Sequence, residues 1–145
     1  MAKTIMYVGR EERISIPSSL FLDRTLSVLE NIAEYLKEEK LMTYHQIAEA
    51  LNRDDRTVWT CYQRAKKKRA GKISILLRAK EVMIPVDIFK DRTLSVLEII
   101  AEYLKDKKQM TYREIGRLLN RNERTIWTCY QRAKKKRELI EKLKL

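Results

Sequence analysis

An all-α fold, with short β arms as an option, is predicted for this chain, built by using one three-helix unit twice. Three observations carry it. Residues 16–69 align with residues 84–137 without a gap at a constant offset of 68, and 38 of the 54 aligned positions are identical. Within each copy apolar residues recur at steps of three and four, the period of a helix with one buried face. Each copy also carries start and stop signals that divide it into three helices. Two copies are too few for a solenoid, so the expectation is a duplicated small module. Residues 1–69 would form the first module with an N-terminal arm; residues 70–145 would form the second, with a linker arm and a C-terminal helix extension.

The arms come first. Short β-favouring runs, Ile5 to Val8 and Ile73 to Leu77, precede a shared Ile-Pro pair, Ile16-Pro17 and Ile84-Pro85. Strands and extended arms packed between the modules both fit this pattern. The first helix is expected from Asp23 to about Glu39, with Leu26, Leu29, Ile32, Ala33 and Leu36 on its buried stripe and Val28 and Tyr35 widening it. Asp23 suits the positive end of the helix dipole, and Lys37 and Lys40 the negative end. The second copy of this helix is expected over roughly Asp91 to Lys107.

The second helix opens with a capping box, Thr43-Tyr-His-Gln46 in one copy and Thr111-Tyr-Arg-Glu114 in the other. Tyr44, Ile47, Ala48 and Leu51 form its buried face, and Gly116 replaces Ala48, so the position stays small, as a close helix approach requires. Leu51-Asn52-Arg53-Asp54 then makes a turn, because Asn tolerates the left-handed conformation and Asp54 (Asn122 in copy two) caps the next helix. The third helix is expected from Asp55 to Arg69, with Val58, Cys61, Tyr62 and Ala65 on its core face. In copy two Glu138 to Leu145 extends it, and Leu139, Ile140, Leu143 and Leu145 are placed to cover the other module or a second chain.

Composition narrows the function. The chain has 145 residues, 32 Lys and Arg against 20 Asp and Glu, a net charge of +12 and a pI near 9.8. Such a balance suits a polyanionic partner. It is unevenly shared: residues 1–68 hold 12 basic and 10 acidic side chains, residues 69–145 hold 20 and 10. No run of eighteen apolar residues exists, and the N-terminus lacks the pattern of a signal peptide, so a cytoplasmic, nucleoid-associated protein without a membrane role is expected. Cys61 and Cys129 lie far apart and His45 is the single histidine. That pattern holds no metal cluster and no nucleophile–base pair, and it predicts two buried free thiols in a reducing compartment. No cofactor and no enzymatic activity are expected.

A short capped helix, a tight turn and a longer helix with a polar outer face make a helix-turn-helix. The outer face of the third helix carries Asp55, Arg56, Trp59, Thr60 and Gln63 and ends in Arg64, Lys66, Lys67, Lys68 and Arg69. A plain three-helix bundle explains the apolar stripes but not this face, which occurs twice.

The segment MTYHQIAEALNRDDRTVWTCYQRAKKKR resembles the region-four helix-turn-helix of bacterial RNA polymerase sigma factors, and with it the DNA-binding domain of many response regulators. The shared pattern is Tyr44, Ile47-Ala48, Leu51, Thr57-Val58 and Arg64-Ala65-Lys66-Lys67-Lys68; copy two matches with Tyr112, Ile115-Gly116, Leu119, Thr125-Ile126 and Arg132-Ala133-Lys134-Lys135-Lys136. Asn52 stands where the family usually has Gly, and Trp59 and Trp127 stand where it usually has a polar or basic side chain. The promoter-melting regions have no counterpart here, so the resemblance implies a regulator built from the module and not a sigma factor.

By this resemblance the third helix enters the major groove. Base-reading roles fall to Asp55, Arg56, Trp59, Thr60 and Gln63, and to Glu123, Arg124, Trp127, Thr128 and Gln131. Arg56 is suited to guanine, Gln63 to adenine, and Trp59 or Thr60 to a thymine methyl. Phosphate contacts fall to Thr43 (through free N–H groups), Arg53, Arg64, Lys67 and Lys68, and to Thr111, Arg113, Arg117, Arg121, Arg132, Lys135 and Lys136. Arg113 and Arg117 replace His45 and Glu49, so copy two is expected to bind more tightly and less selectively. The two tryptophans are read equally as facing DNA or as packing on a neighbouring module or arm.

The function expected is sequence-specific binding of double-stranded DNA by a transcription regulator that reads two similar half-sites, direct or inverted. Two alternatives stand beside it: a nucleoid-type architectural protein, and an interaction module whose tryptophans dock on RNA polymerase or another protein. Oligomeric state is left open.

Overall fold

The computed structural model describes residues 14–69 and 82–144. Most of them are helical: β1 (Ser15–Pro17), α1 (Val28–Glu38), α2 (Tyr44–Leu51) and α3 (Asp55–Arg69) are followed by β2 (Met83–Pro85), α4 (Val96–Asp106), α5 (Tyr112–Leu119) and α6 (Glu123–Lys144). A 3-10 turn follows each strand, Ser18–Leu22 and Val86–Lys90. The β-favouring runs Ile5 to Val8 and Ile73 to Leu77 lie outside the described residues, as does Leu145; the strands form at the shared Ile-Pro pairs.

The first helix of each repeat starts later than its apolar stripe suggests. Asp23 accepts hydrogen bonds from the Thr25 N–H (2.9 Å) and hydroxyl (2.5 Å), which bends the chain into a local turn instead of a helix. The start is at Ser27, whose hydroxyl accepts from the Glu30 N–H (3.2 Å) while the Glu30 carboxylate accepts from the Ser27 N–H (3.0 Å). Ser95 and Glu98 repeat this capping box before α4. The signal was in the sequence as S-x-x-E, but the apolar periodicity running through Leu26 masked it.

The second capping boxes form as expected, Thr43 with Gln46 and Thr111 with Glu114. Asn52 (φ 57°) and Asn120 (φ 58°) end their helices in the left-handed region. The Asp54 carboxylate then accepts from the Thr57 N–H at 3.0 Å, and the Asn122 amide oxygen from the Arg124 N–H at 2.8 Å. Ala48 and Gly116 are both buried, and a Cβ on Gly116 would lie 2.8 Å from the Arg121 carbonyl oxygen, so the tight approach is real.

The two repeats share one core, and their arms make it so. β1 and β2 pair antiparallel with Ile16 opposite Ile84, both fully buried. Two further hydrogen bonds flank the pair, Ser18 N–H to the Val82 carbonyl (2.9 Å) and Val86 N–H to the Ile14 carbonyl (2.8 Å). Each 3-10 turn packs on the second helix of the opposite repeat, Val86–Lys90 on α2 and Ser18–Leu22 on α5, burying Phe89 and Phe21. Burial of one such side chain stabilises by about 1.5–3 kcal/mol. The buried set is therefore one cluster drawn from both repeats.

At the far end of each repeat, arginine ties the third helix to the first. Arg69 bonds Asp23 (2.7 Å) and Glu34 (2.8 Å), and Arg137 bonds Asp91 (2.7 Å) and Glu102 (2.8 Å). α6 continues past Arg137, but Leu139 and Leu143 remain 56% and 83% exposed and so cover neither repeat within the chain. No described helix is long and apolar enough to cross a membrane.

Candidate nucleic-acid interface

Each repeat holds its third helix by a core face and leaves the opposite face open. Val58, Cys61, Tyr62 and Ala65 are buried, as are Ile126, Cys129 and Ala133. Both cysteines are free, and burial pushes their thiols up, which leaves them protonated and inert. Tyr62 and Tyr44 meet edge-on at 5.9 Å, and Tyr130 and Tyr112 do the same, which fixes the second helix against the third.

The open face carries the residues expected to read bases. Asp55, Arg56 and Trp59 are exposed while Thr60 and Gln63 are half-buried; Glu123, Arg124, Trp127 and Gln131 are exposed and Thr128 is half-buried. Trp59 and Trp127 are 50% and 49% exposed, so neither is packed away against the neighbouring repeat or the Ile-Pro arm. Along α6, Trp127, Thr128 and Gln131 line one shallow groove together with Arg132 and Lys135. With Lys134 and Glu138 also lining it, the surface there mixes an aromatic ring, two hydrogen-bonding side chains, three cations and one carboxylate.

The residues expected at phosphates divide into three groups. Arg64, Lys67, Arg132, Lys135, Arg113 and Arg117 are exposed. Lys68 and Lys136, themselves partly exposed, pair with buried carboxylates, at 2.8 Å from Glu30 and 2.7 Å from Glu98; burial opposes ionising these glutamates, but the lysines and the Ser27 and Ser95 N–H groups hold them as carboxylates. The expected free N–H groups at Thr43 and Thr111 are not free. They donate to the Gln46 and Glu114 side chains at 2.9 Å, because a complete capping box satisfies the N-cap residue's own N–H.

Arg53 and Arg121 form the third group. Each is half-buried in the turn, with its Nε enclosed and without a hydrogen-bond partner. Burial lowers the affinity of each guanidinium for its proton, and a second arginine from the opposite repeat adds to this, Arg92 beside Arg53 and Arg24 beside Arg121. Sequence reasoning missed Arg24 and Arg92, since only the crossing of the arms brings them to the other repeat. A groove at α5 gathers Arg24, Arg113, Arg117 and Arg121 beside the start of α6. The matching groove at α2 is far less positive. There His45 sits 3.5 Å from Glu49 and 3.3 Å from Asp55, so two carboxylates face the cations of that site.

Comparison of the chain with protein-family models, with characterised proteins and with solved structures finds no match. Among the described residues no cluster of His, Cys, Asp or Glu is arranged to hold a metal ion.

Proposed function

We propose that this chain is a double-stranded DNA-binding protein that uses α3 and α6 as recognition helices, and that it acts as a sequence-specific transcription regulator reading two similar half-sites. One observation carries the reading above the rest. A helix pinned on one face leaves Arg56, Trp59, Thr60 and Gln63 on the other, and the same four side chains recur as Arg124, Trp127, Thr128 and Gln131. A repeated target would account for an identical polar set kept on the solvated face of both helices. The left-handed asparagine turn and the short capped helix before it are the parts of a helix-turn-helix, and the likeness to sigma region four points the same way.

In this mechanism α3 and α6 lie in the major groove. Arg56 and Arg124 offer a fork to guanine O6 and N7, Gln63 and Gln131 a bidentate edge to adenine, and the tryptophans and threonines apolar contact to thymine methyls. Arg53 and Arg121 present guanidinium groups whose buried Nε gives up solvent without gaining a partner; an adjacent DNA phosphate would neutralise each. Arg64, Lys67, Arg132 and Lys135 add backbone contacts that set register without reading sequence. Arg113 and Arg117 make the second repeat the stronger electrostatic anchor.

The test is fluorescence anisotropy on a duplex selected from a random library, against a scrambled duplex, across a salt series. Specific binding should exceed scrambled binding by 10³ or more, on the order seen for sequence readers. Equal binding that collapses with salt would assign the chain to the architectural class instead. The exposed tryptophans favour a second reading, docking on the transcription machinery. Under it, Trp59→Ala with Trp127→Ala leaves DNA affinity intact and loses a protein partner; under the DNA reading the double variant loses specific DNA affinity.

A further inference from the structure

The two repeats are related to each other by a local two-fold axis, and not by the head-to-tail translation that a tandem sequence suggests. Three sets of contacts show it, two along the strand pair and one away from it. In the strand pair Ile16 faces Ile84, its own equivalent at the offset of 68, and Ser15 with Pro85 mirrors Met83 with Pro17. Ser18 N–H to Val82 and Val86 N–H to Ile14 are each other's images under the same exchange. So are the Asn52 amide bonding the Lys90 carbonyl and the Asn120 amide bonding the Leu22 carbonyl, both at 2.9 Å. A head-to-tail pair makes each contact once; here each of these three is returned. This is the isologous geometry of a symmetric homodimer, built inside one chain.

Resting on the DNA-binding reading above, we infer that a single chain recognises an inverted repeat, two half-sites related by a dyad, without dimerising. The physical reason is that a duplex has dyads perpendicular to its axis. A protein whose two reading helices are exchanged by a two-fold presents them equivalently only to half-sites exchanged by such a dyad. The side chains at both helices match this: Arg, Trp, Thr and Gln occupy equivalent places, and only Asp55 and Glu123 differ by a methylene. The halves should therefore read the same bases with unequal strength, since Arg113 and Arg117 stand opposite His45 and Glu49. The shared core also removes the latitude that the long connection between the repeats would otherwise allow. Each asparagine that ends a second helix is bonded to the opposite repeat, so the two reading heads are held in one fixed relation.

The test uses the full chain and sequences selected from a random duplex library. An inverted repeat, bound as one chain per duplex with a non-cooperative isotherm, is the expected result. Reversing one half-site of the selected duplex should then weaken binding roughly tenfold or more, as loss of several base contacts does. Inserting about five base pairs, half a helical turn, between the half-sites should do likewise, because it turns one half-site to the far side of the duplex. A selected direct repeat, a single half-site, tolerance of the insertion, or two chains per inverted repeat would each overturn the inference while leaving specific DNA binding in place. Failure to select any sequence would remove the sequence-specific reading itself.

Discussion

Replacing Ile16 by alanine should destabilise both repeats together, although Ile16 belongs to the first. Its side chain is fully buried opposite Ile84, at the seam where the arms cross. Truncation to alanine removes apolar contacts and leaves a cavity lined by both repeats, which for a buried isoleucine costs about 2–5 kcal/mol. With a urea m-value of about 1–3 kcal/mol/M, a loss near 3 kcal/mol lowers the midpoint by roughly 1–3 M. The two tryptophans make the assay selective. Trp127→Phe leaves Trp59 as the reporter of the first repeat, and Trp59→Phe leaves Trp127 as the reporter of the second; both sites are half-exposed, so neither change should unsettle the core. In each background Ile16→Ala should shift the fluorescence midpoint by the same amount, in one cooperative transition. If Trp59 reports the loss and Trp127 does not, the repeats fold as separate beads and the shared core is refuted.

Other predictions follow from the places where the repeats differ or where a group is oddly held. Asn31→Ile should stabilise the protein by about 1 kcal/mol: the buried Asn31 carbonyl oxygen has no hydrogen-bond partner, its amide nitrogen makes only a long bond to the Asp23 carbonyl (3.4 Å), and the second repeat already buries Ile99 at that position. A thermal or urea midpoint that falls would refute this. Tyr62 donates its hydroxyl to the Glu38 carboxylate, which, with burial, pushes the phenol up to about 12. Because the folded value is raised, this interaction stabilises fully below the ordinary phenol range near 10 and is lost as pH rises through about 12. The tyrosinate absorbance step removed by Tyr62→Phe should lie near 12; a step near 10 would show that the hydroxyl is free. His45→Arg with Glu49→Arg places on α2 the two arginines that α5 carries at those positions, and should steepen the salt dependence of DNA binding by about one to two in log–log slope. An unchanged slope would place that face away from the phosphates.

Much of each repeat was legible in the sequence because its determinants are local. Thr43 with Gln46, Asn52 and Asp54 decide a helix start, a left-handed stop and the next start within a dozen residues, and α3 begins where Asp55 was expected to begin it. The core face of that helix was equally plain, since Val58, Cys61, Tyr62 and Ala65 share one side by spacing alone. Where two local signals competed, at Asp23 and Ser27, periodicity favoured the wrong one, because a buried Leu26 in a turn has the same spacing as a buried residue in a helix.

What the sequence by itself determined was the content of the proposed reading surface: which side chains it holds, that they occur twice, and that the second copy is the more basic. What only the tertiary structure decided was how the two surfaces stand to each other. A repeat at constant offset is equally consistent with translation and with two-fold exchange, since sequence records the order of residues and not the direction in which strands pair. The antiparallel meeting of Ile16 with Ile84 settles it, and with it the crossing that carries Phe21 and Phe89 to opposite repeats and sets Arg24 beside Arg121. Those contacts join residues far apart in the chain, 38 positions for Asn52 with Lys90 and 98 for Asn120 with Leu22. Their free energy comes from burying two arms that neither repeat covers alone.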